Sequence, residues 1–88
     1  MKVRFRNSFK KDLKRIKDKS LLPQISSAIE NVNAANSLGD VKNLIKLKGY
    51  QGLYRIRVGN YRLGLSIAEE EVVFVRCLHR KEIYQVFP

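Results

Sequence analysis

The chain is poor in chemistry that would tie it to a metal, a disulfide or a membrane. It has one cysteine, one histidine and eight acidic residues among 88. A lone Cys77 cannot close a disulfide within the chain, which fits a reducing cytosol. One His, one Cys and no carboxylate cluster leave no zinc-ligand spacing, so neither a metal nor another cofactor is expected. No apolar run approaches the roughly 20 residues that cross a bilayer. The opening MKVRFRNSFKK lacks the apolar segment of a signal peptide. A cytoplasmic protein is therefore expected. Repeats, linkers and low-complexity stretches are missing too, so residues 1–88 read as one domain. A domain of this size hides only roughly 60–65% of the surface its unfolded chain exposes. A partner that covers more apolar surface would add to its stability.

What the chain has in excess is positive charge. Lys and Arg number 18 against 8 Asp and Glu, a net charge of +10. That surplus exceeds what solubility needs and points to a polyanion, with nucleic acid ahead of an acidic protein. The two can compete for one surface. Residues 1–48 hold nine Lys and three Arg, whereas residues 49–88 hold five Arg and one Lys. Lysine is a point charge on a flexible stem; arginine presents a planar fork that grips phosphate in fixed geometry. The second half is thus the place to look for a phosphate site.

Apolar spacing supplies the elements. Val3–Phe5 reads as a short strand. Phe9, Leu13 and Ile16 then recur at helical spacing with Lys10, Lys11, Lys14 and Lys17 largely opposite, and Asn7 or Ser8 is the expected cap. After a break near Lys19 and Ser20, a second helix carries Leu22, Ile25, Ile29 and Val32, with Pro23 tolerated in its first turn. Residues Asn36 to Asp40 end it. Strands follow at Leu44–Lys48, Leu53–Val58, Tyr61–Ile67 and Val72–Leu78, and the tail from Arg80 holds about one helical turn. The order β-α-α-β-β-β(-β) predicts an α+β fold, two N-terminal helices packed on one face of an antiparallel β-sheet.

Gly59-Asn60 reads as a two-residue hairpin turn, and that fixes a register. Val58 then faces Tyr61, Ile56 faces Leu63 and Tyr54 faces Leu65. Those six side chains share one face, which packs on the helices. The other face must carry Arg55, Arg57 and Arg62, with Arg57 directly across from Arg62 and Arg55 across from Gly64. Like charges directly opposite on a sheet are unfavourable unless an anion lies between them. A merely solvated outer face would mix signs, yet no carboxylate occurs from Leu53 to Ile67. Gly64 and Ser66 should keep the floor of the face low. Lys46 and Lys48 can point the same way as the arginines. If Glu69-Glu70 is also a two-residue turn, Ser66 faces Val73, Gly64 faces Val75, and Cys77 and His79 fall on the arginine face near Arg62.

At these residues the chain resembles the RelE/ParE toxin superfamily. GLYRIRVGNYRLGLSI followed by VVFVRCLHRKEIY carries the resemblance, with RFRNSFKKDLKRI and IKLKGYQG before it. YRIRVGNYR together with HRKEIY is the more specific part, and the similarity spans nearly the whole chain. The resemblance implies a groove on the basic sheet face and an inhibitory, acidic antitoxin as partner. In the RelE branch it implies a metal-independent endoribonuclease that cuts mRNA in the ribosomal A site. Its basic sheet positions map onto Arg55, Arg57, Arg62 and Lys48, and its C-terminal Arg and Tyr onto Arg80 and Tyr84. Lysines of the best-known RelE pattern are replaced by Arg55 and Arg57, and arginine cannot serve as a general base. Another group must take the proton: His79, whose type titrates near about 6.5, or Tyr84, with Glu82 as a third option. Arg57 and Arg62 would stabilise the phosphorane, Arg80 the leaving oxygen, while Arg55, Lys48 and Lys46 hold neighbouring phosphates. The alternative is the ParE branch, a non-catalytic inhibitor of DNA gyrase that shares the fold and much of YRIRVGNYR. HRKEIY favours the RelE branch, because a clustered His, Arg and Tyr make sense as a reacting site.

Overall fold

The computed structural model describes residues 1–88. Strand β1 (Lys2–Phe5) leads into helices α1 (Asn7–Arg15) and α2 (Leu21–Ala34). A 3₁₀ turn at Leu38–Asp40 precedes β2 (Leu44–Lys46), β3 (Leu53–Val58), β4 (Tyr61–Ala68) and β5 (Glu71–His79), and helix α3 (Arg80–Val86) ends the chain. The five strands form one sheet in the order β1-β5-β4-β3-β2. The β2–β3, β3–β4 and β4–β5 pairs are antiparallel as expected, but β1 lies parallel to β5. No hairpin joins these two strands, so nothing local sets their direction. Phe5, Phe9 and Phe74 knit β1, α1 and β5 together, with ring centroids 5.3–5.7 Å apart.

Helices α1 and α2 cover one face. Phe9, Ile25 and Val32 meet Ile56, Val58, Leu63, Leu65, Val72 and Phe74 there, with Tyr54 and Tyr61 at the margin. The expected cap of α1 is absent: Arg6 stands at the N-cap position and no side chain caps the helix. Ser8 is used elsewhere, its hydroxyl donating to the Val75 carbonyl at 2.6 Å. Between the helices, the Ser20 hydroxyl and N–H both donate to Asp18, at 2.6 and 3.0 Å. Those bonds, the hydroxyl's first, hold this exposed carboxylate below its ordinary pKa. The tail forms a fuller helix than one turn, and it packs on the opposite face of the sheet. Ile83 of α3 and Phe87 just beyond its end bury against Leu47, Leu53, Val75 and Leu78.

A β-bulge separates the two faces from the simple alternation. Ser66 pairs with Val73 as expected, but beyond a shift between Gly64 and Leu65 the partner of Gly64 is Arg76, not Val75. A bulge leaves backbone groups without ladder partners, and α1 supplies two. Ser8 takes the Val75 carbonyl, and the Asp12 carboxylate accepts from the Cys77 N–H at 2.9 Å. Asp12 also binds Arg76 through two hydrogen bonds, 2.8 Å from Nε and 3.2 Å from Nη2. Its carboxylate is only 4% exposed, the one charged group in the core. The Asp12 hydrogen bond holds the Arg76 guanidinium above its ordinary pKa.

The bulge also sends Cys77 into the core between sheet and helices, paired with Leu63, and so corrects the expectation that it faces the arginines. Burial pushes its thiol from 9.0 up to about 12. The folded state then keeps the thiol neutral where the unfolded chain ionises it. Stability from this group is therefore complete below about pH 9 and lost as pH rises towards about 12. Urea unfolding of wild type and Cys77→Ala across that range tests the sign. The stability gap between the two should shrink as pH rises from 9 to 12, and a gap that widens refutes the assignment. A thiol reagent at pH 8 should label Cys77 only on unfolding.

Candidate active site

The β3–β4 hairpin has the expected register. Leu53 pairs with Ser66, Tyr54 with Leu65, Arg55 with Gly64, Ile56 with Leu63, Arg57 with Arg62 and Val58 with Tyr61. Gly59 takes φ +58° at the first turn position, which is where a two-residue II′ hairpin wants glycine. Ile56, Val58, Leu63 and Leu65 are buried against the helices, so Arg55, Arg57 and Arg62 share the opposite face. Arg62 is braced by the turn itself. Its Nη1 donates to the Gly59 carbonyl at 3.0 Å and to the Tyr61 carbonyl at 2.9 Å. Nε and Nη2 keep their donors for a ligand. Arg57 is exposed and also borders a cleft with Lys42, Asn43 and Gln24 at the end of α2.

Helix α3 brings Tyr84 to this face. The Arg55 guanidinium carbon lies 4.7 Å from the centroid of the Tyr84 ring, a cation–π distance. Between α3 and the β2–β3 connection runs a groove of about 540 Å³ lined by Ile45, Lys46, Leu47, Lys48, Tyr50, Arg55, Tyr84, Phe87 and Pro88. Three of those side chains are cationic and none is acidic. Two expectations change here. Ile45, not Lys46, pairs with Arg55, so alternation puts Ile45 and Leu47 on the arginine face and Lys46 on the other. Because β2 is the sheet edge, Lys46 still borders the groove, as does Lys48 beyond the strand end. Gly64 also leaves no open floor: a Cβ there would meet the Phe87 ring at 2.9 Å. The glycine makes room for α3 instead of a ligand, and the open space lies beside the helix.

His79 is the largest departure. The bulge pairs it with Tyr61, on the helix side of the sheet, and its ring stands edge-on to Tyr61 at 5.6 Å. Its Nδ1 accepts from the Lys81 N–H at 3.2 Å, which caps α3. The structure therefore brings Tyr84 to Arg55, and leaves His79 on the other side of the sheet, positioning the helix that carries Arg80, Glu82 and Tyr84. Arg80 and Glu82 are exposed on the first turn of α3. Sequence reasoning missed Asp12, Arg76 and Tyr50. An acidic residue at a lysine-rich helix and an exposed tyrosine between two glycines were the available signals.

Chemically, the face is a set of fixed cations beside a phenol. It can hold successive phosphates, neutralise charge developing on one of them, and exchange a proton at the Tyr84 hydroxyl.

Known proteins share both sequence and fold with this chain. The family model described as the ParE toxin of the type II toxin–antitoxin system, parDE, matches residues 3–84. The Toxin RelE3 of Methanocaldococcus jannaschii is 46% identical over 89 residues, covering 100% of both chains. The toxin in a RelB–RelE antitoxin–toxin complex from Methanococcus jannaschii superposes with a TM-score of 0.81 at 42% identity, over 97% of this chain and 99% of that one. An archaeal RelE–RelB complex from Pyrococcus horikoshii shares the fold alone, with a TM-score of 0.73 at 20% identity over 92% and 96% of the chains.

Proposed function

From the premise that the chain belongs to the RelE/ParE superfamily of type II toxins, we propose that it is a metal-independent endoribonuclease that cuts mRNA in the ribosomal A site. The observation that carries this reading is the groove with three cationic and no acidic side chains, where the Arg55 guanidinium lies over the Tyr84 ring. In the reaction, the ribose 2′-OH attacks the adjacent phosphorus. The bond to the 5′ oxygen breaks, leaving a 2′,3′-cyclic phosphate and a free 5′-OH. Arg62 and Arg57 stabilise the charge that grows on the phosphorane, ordinarily the largest catalytic effect. Arg80 neutralises the leaving oxygen, while Arg55, Lys48 and Lys46 hold neighbouring phosphates. Tyr84, as its phenolate, takes the 2′-OH proton, and solvent water protonates the 5′ oxygen as it leaves beside Arg80. His79 acts through α3 as a positioning residue.

The partner is a cognate acidic antitoxin, whose charge complements the +10 of the toxin; the homologous toxin is likewise bound to RelB. The test is in vitro translation with purified protein, with mRNA ends mapped by primer extension. New 5′ ends inside the A-site codon are expected, and toxin stripped with EDTA and dialysed into magnesium buffer free of transition metals should cut as untreated toxin does. Tyr84→Phe should lose most cleavage and His79→Gln should retain it wherever α3 stays folded. Intact mRNA with continued translation, together with DNA damage in expressing cells, would favour a ParE-type gyrase inhibitor, to which the matching family model's name also points.

A further inference from the structure

The groove beside α3 has a feature that phosphate binding does not use. Tyr50 is 50% exposed at its rim, and across the groove Tyr84 is 59% exposed. Exposed tyrosines beside three cations suit a partner with both a flat apolar face and negative charge. Tyr50 sits on a tight loop whose glycines, Gly49 and Gly52, take φ +81° and +76°. A Cβ on Gly52 would meet the Ile67 carbonyl at 3.0 Å, so the loop lies close against the sheet. The ring is thus displayed from an anchored loop, two residues from Lys48.

We propose that this groove is a subsite for single-stranded RNA flanking the cleaved phosphate, with one base stacked on Tyr50 and its phosphates held by Lys46, Lys48 and Arg55. The inference rests on the nuclease reading for its choice of strand. Charge complementarity selects the occupant: three cationic and no acidic side chains line the groove. Single strands are held in this way, by stacking on aromatic side chains within a positive channel. Since stacking tolerates any base, Tyr50 adds affinity and register and makes no hydrogen-bond choice among bases.

The probe is a fluorescently labelled single-stranded oligoribonucleotide with 2′-O-methyl riboses, which binds but lacks the attacking hydroxyl. Tyr50→Ala should weaken its binding by about 5- to 150-fold, the range for one base–aromatic stack. Tyr50→Phe should bind as wild type does. A scan of single abasic positions should find one at which wild type and Tyr50→Ala bind equally, since the stack is then already gone; a merely structural role for Tyr50 predicts no such position. Lys46→Ala should lower the slope of log affinity against log salt by about 1. Equal binding by wild type and Tyr50→Ala overturns the proposal, and so does a wild type that does not bind the probe. A Tyr50→Ala variant that binds RNA normally but loses a copurifying antitoxin overturns it as well and assigns the groove to an acidic protein. Should the probe bind through Tyr50 while ribosome-bound mRNA stays uncut, the nuclease reading fails and the stacking subsite stands as part of an RNA-binding groove without cleavage.

Discussion

Arg62→Ala is expected to cut single-turnover cleavage of ribosome-bound mRNA by about 10²–10³-fold, the usual cost of removing one preorganised contact to a developing oxyanion. Arg62 qualifies for that effect because its guanidinium is already held in place. The bonds from Nη1 to the Gly59 and Tyr61 carbonyls fix the fork before substrate arrives. Less reorganisation is then needed at the moment of reaction. Arg62→Lys should recover only part of the rate, because an ammonium cannot bridge the turn and still present a second donor edge. The fold should survive, since the side chain lies on the face away from the main core. Loss of two hydrogen bonds to turn carbonyls costs roughly 0.5–1.5 kcal/mol each, and Gly59 still makes the turn. Thermal melting and cleavage on the same preparations separate the two effects. An Arg62→Ala protein that is unfolded shows that the side chain supports the core, and one that cuts at the wild-type rate removes Arg62 from the transition state.

The β3–β4 hairpin was legible because its register depends on local chemistry alone. Gly59-Asn60 sets a two-residue turn, strict alternation does the rest, and all pairs from Leu53–Ser66 to Val58–Tyr61 follow. The arginine face is therefore readable from the sequence alone. What was not readable depends on contacts far apart in sequence. The bulge on β5 is built by Ser8 and Asp12, more than sixty residues away, so counting from the Glu69-Glu70 turn put Cys77 and His79 on the wrong face. Lys46 failed for a related reason. The β2–β3 connection contains two positive-φ glycines, Gly49 and Gly52, and is no two-residue turn, so hydrophobicity alone could not say whether Ile45 or Lys46 faces Arg55.

Helix α3 shows the same limit from another side. Ile83 and Phe87 have the spacing of one helical face, yet the sequence does not say which side of the sheet they seek. Leu47, Leu53, Val75 and Leu78 answer that by forming a second apolar cluster on the arginine side. In the sequence Gly64 promises a low floor on the arginine face; in the fold the Phe87 ring fills that space. One consequence is functional: the helix that carries Tyr84 is seated by packing on the same sheet face that carries the arginines, so the site is assembled only when α3 is docked.

Asp12→Ala is expected to be the most destabilising single substitution of a polar residue in the chain, by about 3–5 kcal/mol, the cost of breaking a buried ion pair from one side. The carboxylate is 4% exposed and accepts three hydrogen bonds, two from Arg76 and one from the Cys77 N–H. Alanine deletes all three. It strands the bulge amide in the core and leaves the Arg76 side chain, 28% exposed, without its anion. A domain of this size has a total stability of about 5–15 kcal/mol. Each kcal/mol moves its melting temperature by roughly 4–8 °C, so a fall of at least about 12 °C is expected. Asp12→Asn should cost less, because the amide oxygen still accepts from Cys77 and Arg76 has a path to water. Arg76→Ala should cost nearly as much as Asp12→Ala, as it leaves the more buried partner charged with only the Cys77 N–H to bond. The double substitution Asp12→Ala with Arg76→Ala should then be no worse than either single change by more than about 1 kcal/mol, the non-additivity that residues in direct contact show. Additive losses in that cycle would mean that the two side chains stabilise the fold separately. The effect should reach the site as well. The bulge decides that Leu78 faces Ile83 and Phe87, and thereby where α3 sits. At a temperature where Asp12→Ala is still folded, cleavage should therefore fall along with protection of the α3 amides from hydrogen exchange, and an undiminished rate with an exchange-labile helix would break the link between bulge and active site.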